Sequence, residues 1–192
     1  YFKMPNHMVD FLNDKMDRKL DDFSDYLVGK VSQELHFDKE TRKYAGEQLT
    51  DFIIDYHKYT KSRNSMGQLS LDTNKKVELD IIAAWYVRQF ENEYNPIHFH
   101  SGNISGVGYL KIPKNITKSR KRLKTNGTID FIHGSKSFLN NSLFNHNPKV
   151  GDLILFPNYL MHTAYPFKSN GERRSFSFNL EIDSKIANVF SR

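Results

Sequence analysis

Apolar positions follow two unlike patterns along this chain, and the change falls between residues 76 and 78. Upstream, Val9, Leu12, Met16 and Leu20 recur at spacings of three and four, which sets them on one face of a helix. Ser24 is placed to cap a second short helix through Val28 and Val31. Asp38 is placed to cap a third, along which Ala45, Leu49, Phe52, Ile53, Tyr56 and Tyr59 trace an amphipathic stripe. Stripes of this kind pack against a core. Residues 61–74 (KSRNSMGQLSLDTN) read as a loop.

Downstream the period becomes two. Strands are expected at 80–90, 96–100, 106–112, 128–133, 152–156, 162–166 and 173–182. Short strands split by Gly, Pro and Asn point to a sandwich or barrel. Helices followed by strands, without βαβ alternation, point to the α+β class. The expected architecture is one domain over 1–192, with a helical N-terminal layer (1–76) packed on a jelly-roll core (78–183).

Composition narrows the chemistry. A chain of 192 residues suits one domain, and 15 Phe and 10 Tyr supply its core with large rings. The absence of cysteine removes disulfides, zinc-thiolate sites, iron–sulfur clusters and thiol catalysis. It fits a reducing compartment, so a cytoplasmic location is expected. No apolar run approaches the ~20 residues of a membrane span, and Tyr1 does not open a signal peptide, so no membrane partner is expected. The net charge of +6 is concentrated in residues 114–124 (KNITKSRKRLK). That run reads as a solvated loop between strands. No aromatic residue interleaves it to stack on bases, which leaves nucleic acid as a secondary alternative.

Three histidines carry the candidate chemistry. His98 and His100, in NPIHFHSGN, stand two apart on a strand and therefore share a face. His162 follows a buried-looking strand well downstream, in GDLILFPNYLMHTAYPF. Two ligands from one strand and a third from another occupy one face of an octahedral ion and leave the opposite positions open, as non-haem iron sites require. Taken singly, each histidine is as readily a packed one. The last strand alternates as well: Arg173, Ser175, Ser177 and Asn179 on one face, Arg174, Phe176 and Phe178 on the other. An arginine fork with a serine beside it suits the distal carboxylate of a dicarboxylic acid. Tyr109, in SGVGYLKIP, reaches the same place from a neighbouring strand.

The stretches NPIHFHSGNISGVGYLKIP (95–113), GDLILFPNYLMHTAYPF (151–167) and GERRSFSFNLEID (171–183) together resemble the 2-oxoglutarate/Fe(II) oxygenases, above all the prolyl-4-hydroxylase-like branch with its small bacterial and phage members. The first 75 residues match nothing in that family. The resemblance implies a cupin-like double-stranded β-helix and a dioxygenase using Fe(2+), 2-oxoglutarate and O2. Such an enzyme hydroxylates a C–H bond and decarboxylates 2-oxoglutarate to succinate. It gives His98 and His162 the roles of the iron-binding histidines, with His100 where the family has Asp or Glu. Arg173, Ser175 and Tyr109 take the C5 carboxylate of 2-oxoglutarate, and Arg174 replaces Arg173 if the register slips by one. Two other readings of the departure at position 100 stay open. His100 is the first ligand with Gly102 leaving a vacant position, as in the halogenating branch, or Asn103 occupies the place of the lost acid.

Two other functions also stay open: a three-histidine dioxygenase that needs no 2-oxoglutarate, and a non-enzymatic jelly-roll binding module. The resemblance suggests a peptide, protein or free amino-acid side chain as substrate, with other small molecules as the next class. The N-terminal layer either stiffens the core or forms a homodimer interface.

Overall fold

A computed structural model of the chain describes residues 1–63, 79–114, 116 and 125–182. Most of the loop expected at 61–74 lies outside these residues, as does the basic run 114–124 apart from positions 114 and 116.

Two antiparallel sheets face each other and stay open rather than closing into a barrel. The larger holds, in spatial order, β1 (Phe2–Lys3), β8 (Asp152–Pro157), β5 (Ile104–Lys111), β10 (Arg173–Ile182), β3 (Leu79–Gln89) and β2 (Gln33–His36). The smaller holds β4 (Asn95–His98), β9 (Met161–Ala164), β6 (Ile129–Ile132) and β7 (Leu143–His146). Two helices, α1 (Asn6–Met16) and α2 (Lys39–Arg63), cover the outer face of the larger sheet. This is the jelly-roll, double-stranded β-helix architecture of the α+β class. No helix among the described residues is long and apolar enough to cross a membrane.

Each layer follows from the pattern that predicts it. Val9, Leu12 and Met16 of α1 and Ala45, Leu49 and Ile53 of α2 are buried against Phe176, Phe178 and Leu180 of β10. Asp38 caps α2 by accepting a hydrogen bond from the Thr41 amide at 2.7 Å. A second core, between the sheets, gathers Val107, Tyr109, Ile129, Phe131, Ile154 and Phe156. The alternation of β5 divides these layers: Val107 and Tyr109 face inward, while Gly106 and Gly108 lie under the phenylalanines of β10. A Cβ at Gly108 would stand 2.2 Å from the Phe176 ring, and one at Gly106 2.3 Å from that of Phe178. Gly108→Ala should therefore destabilise the fold by about 2 kcal/mol or more through overpacking, measured by urea unfolding.

The N-terminal part is not wholly helical. The helix expected from Ser24 is a single 3-10 turn, Ser24–Tyr26, after which Val28 is exposed and the chain enters β2. Within the expected helix Lys30 pairs instead with Tyr94, its amide donating to the Tyr94 carbonyl at 2.8 Å, and β2 then pairs with β3. β1 and β2 both join the large sheet, so the boundary at residue 76 does not separate helices from strands. Leu20 lies beyond the end of α1, and Tyr59 is 58% exposed rather than core-facing.

Candidate functional site

The three histidines meet at one end of the sandwich. His98 and His162 are register partners across β4 and β9. The β4–β9 register shifts between Asn95 and His98, a bulge at a strand whose Pro96 cannot donate to the ladder. His100 lies just past β4. Its amide donates to the Asn158 carbonyl at 3.0 Å, and the Asn158 amide side chain donates back to the His100 carbonyl at 3.2 Å. That exchange fixes the His100 backbone against the turn between β8 and β9.

One nitrogen of each of the three rings lies within 4.8 Å of the others. His98 Nδ1–H donates to the Pro96 carbonyl at 2.7 Å, and His162 Nδ1–H to the Leu160 carbonyl at 2.9 Å. These bonds hold both rings in the tautomer that bares Nε2, the arrangement found behind metal-bound imidazoles. Burial lowers the pKa of all three. His100 falls to about 3, with the charges of His162 and His98 adding to burial. His162 falls to about 4, with His98 adding. Neutral imidazoles with converging lone pairs suit a transition-metal ion. Bonds of about 2.1 Å at right angles set neighbouring donors about 3 Å apart, and His100 Nε2 stands 3.1 Å from His162 Nε2.

Beside the histidines, one cavity is walled by the inward face of β10 and its neighbours. Arg173, Ser175 and Ser177 line it, as does Tyr109, the register partner of Ser175 on β5. Arg173 is only 3% exposed. Its guanidinium donates to the Gly127 carbonyl at 2.8 Å and to Gln89 Oε1, and it lies 5.8 Å from the Phe167 ring centroid. Among the described residues no carboxylate pairs with it. Burial lowers its pKa, which marks an uncompensated cation, and raises the Tyr109 phenol to about 12, so that Tyr109 remains a neutral O–H donor. Together they offer a buried cation and a neutral donor on one wall of the cavity.

Arg174 points the other way. It bonds Glu172 at 2.7 Å and Asp17 at 2.5 Å on the helix side of the sheet, so the register that would have given it the role of Arg173 is not adopted. Asn103 is also occupied elsewhere: its Oδ1 accepts the Ile182 amide at 2.8 Å, and it holds no acid's place. Gly102 has φ +87°, and a Cβ there would strike the Leu180 carbonyl at 2.6 Å. It serves the backbone turn, while His98 and His100 both reach the cluster.

Sequence reasoning missed Gln89, Asn95 and Glu34, all buried or half-buried at these walls. Inward alternation along β3 (Trp85, Val87, Gln89) was the available sign for the first. Glu34 is raised to about 7 by burial, then by the charges of Asp22 and Glu93. A carboxyl whose folded pKa is raised stabilises the fold below its ordinary value of 4.5, and that contribution is lost as pH rises through about 7. The stability advantage of Glu34→Gln over the parent should therefore grow by on the order of 2 kcal/mol across that window, read from urea unfolding at several pH values.

A family model of 2OG-Fe(II) oxygenases matches residues 83–179, half of the chain, spanning His98, His100, His162 and the inward face of β10 up to Asn179. No curated protein matches the sequence. Among solved structures, the chain is similar to a Pseudomonas putida prolyl-4-hydroxylase, with 14% identity over 94% of this chain and 89% of that one, at a TM-score of 0.56. It is also similar to HygX from Streptomyces hygroscopicus with nickel, 2-oxoglutarate and hygromycin B bound, with 13% identity over 93% and 79% of the two chains, at a TM-score of 0.58. At such identities the likeness is one of fold.

Proposed function

The chain belongs to the 2OG-Fe(II) oxygenase family, and from that premise we propose that it hydroxylates a C–H bond of its substrate while 2-oxoglutarate is decarboxylated to succinate. In this reading His98, His100 and His162 hold iron(II), and Arg173, Ser175 and Tyr109 hold the C5 carboxylate of 2-oxoglutarate. The observation that carries it is a buried arginine, without an acid partner among the described residues, on a wall shared with three converging neutral imidazoles.

Iron(II) with 2-oxoglutarate and dioxygen supplies the oxidising chemistry. The chain supplies orientation. The Pro96 and Leu160 carbonyls keep the Nε2 atoms of His98 and His162 bare and aimed. Trp85, Phe131 and Phe156 pack around the imidazoles and exclude water. The Arg173 fork and the Tyr109 hydroxyl fix one end of the co-substrate, so its reactive end meets the histidines in one pose. Three neutral imidazoles leave the full metal charge to attract the dianionic co-substrate, which favours its binding over a site carrying a carboxylate.

Anaerobic addition of iron(II) and 2-oxoglutarate to the purified protein should give the visible metal-to-ligand absorption band of the chelate, and admitting air should yield succinate. A protein that binds iron but gives neither band nor succinate would sink this reading in favour of a three-histidine dioxygenase that needs no 2-oxoglutarate.

A further inference from the structure

A second cavity adjoins the first and shares Trp85, Asn95, His98 and His100 with it. Its remaining polar lining is Ser101, Asn179, Tyr26 and, as the one carboxylate, Glu34 on the edge strand β2. Glu34 pairs with Val87, which in turn pairs with Ser175, so all three stand in one row on the inner face of the large sheet. Two strand spacings, roughly 10 Å, separate Glu34 from Ser175.

Glu34 is 1% exposed, yet neither of its carboxylate oxygens has a hydrogen-bond partner, and Asn95 Oδ1 has none either. The Asn95 amide adjoins the carboxylate and offsets part of its burial, but a neutral amide leaves the charge uncompensated. The other buried carboxylates differ. Asp152 carries Lys3, Glu172 carries Arg88, Lys111 and Arg174, and Asp130, which has no cation, accepts hydrogen bonds from the Asn145 amide and the Tyr165 hydroxyl. The charges that act on Glu34, on Asp22 and Glu93, have its own sign, and among the described residues none of the three acids forms an ion pair with Lys or Arg. The three bare oxygens converge beside Gly29: a Cβ there would lie 2.8 Å from Asn95 Oδ1 and 2.9 Å from each Glu34 oxygen. Any larger residue at 29 would fill this cradle. Phe23 and Trp85, with ring centroids 5.9 Å apart, form the aromatic wall of the same cavity.

We propose that Glu34 and Asn95 receive a protonated amine of the substrate, so that the C–H bond oxidised belongs to an amine-bearing molecule or side chain. An ammonium has three donors and no acceptor, which matches three converging acceptor oxygens. Aromatic faces beside it favour a cation over a neutral or anionic group. This substrate class rests on the oxygenase reading, because the shared wall of histidines is what makes the second cavity the place for a substrate.

The test is calorimetric titration of hexylammonium, 1-hexanol and hexanoate, under nitrogen, into the protein with iron(II) and 2-oxoglutarate added. Hexylammonium should bind about tenfold or more tighter than hexanol, with hexanoate the weakest. Glu34→Gln, which keeps the shape and removes the buried charge, should bring hexylammonium down to the level of hexanol. Gly29→Ala, which fills the cradle and keeps the charge, should do the same. The absorption band with iron and 2-oxoglutarate should be unchanged in both variants. Equal affinities of hexylammonium and hexanol in the parent protein, or a preference that survives both substitutions, overturns the proposal. A missing band with the amine preference intact sinks the oxygenase reading alone.

Discussion

His162→Ala is expected to lower iron-dependent succinate formation by at least about 100-fold, since losing only the partner behind a metal-bound histidine already costs 10–100-fold. His162 should show the fullest loss of the three. It is buried in the middle of the cluster, 3.1 Å from His100, and is the cross-strand partner of His98. Its Nδ1–H is committed to the Leu160 carbonyl, which holds Nε2 bare and aimed at the cluster. The variant should still fold, because the imidazole is packed among Phe131 and Phe156 and its loss leaves a small void. Metal analysis after gel filtration, together with succinate assays, checks this. A variant that keeps both iron and turnover would remove His162 from the ligand set.

That these histidines could be singled out at all depends on strand geometry. A spacing of two points to a shared face for His98 and His100, and both rings do reach the cluster, although β4 ends at His98 and His100 is placed by its bonds to Asn158. β10 was legible to the residue because its two faces carry different chemistry, phenylalanines toward the helices and arginine with serines toward the site. β1, β2 and β7 were not. They run two to four residues at sheet margins, and β7 is exposed along most of its length, so no alternation in burial marks it. In β2 no strand was expected, yet Glu34 is among the most deeply buried side chains of the described residues. Its burial depends on pairing with β3, far along the chain, which local spacing does not encode. The same holds for Asn95, whose inward direction is set by its sheet partner and not by its neighbours in sequence.

The two adjacent arginines of β10 should respond in opposite ways to the same substitution. Arg173→Met is expected to weaken 2-oxoglutarate binding about 100-fold or more, the loss expected when one member of a buried, hydrogen-bonded charge pair is removed. Folding of the protein without co-substrate should change little or improve. An isolated buried cation costs several kcal/mol of desolvation, and Arg173 recovers only part of this from the Gly127 carbonyl, Gln89 and the Phe167 ring. Arg173→Lys should retain a fraction of the affinity, because a point charge cannot present the paired donors of the fork. In the parent protein, 2-oxoglutarate at 100 times its Kd should add about 2.7 kcal/mol of stability, and in Arg173→Met the same concentration should add only about 0.4 kcal/mol or less. Arg174→Met should do the reverse. Its guanidinium ties β10 to Glu172 and to Asp17 just after α1, so its loss strips Glu172 of one of the cations that, against the upward push of burial, hold its carboxyl at about 2. Stability should fall while 2-oxoglutarate affinity holds, since the Arg174 side chain lies across the sheet from the cavity. Thermal unfolding of both variants with and without 2-oxoglutarate separates the two effects. If Arg174→Met lost the co-substrate and Arg173→Met kept it, the inner face of β10 would not be the binding wall.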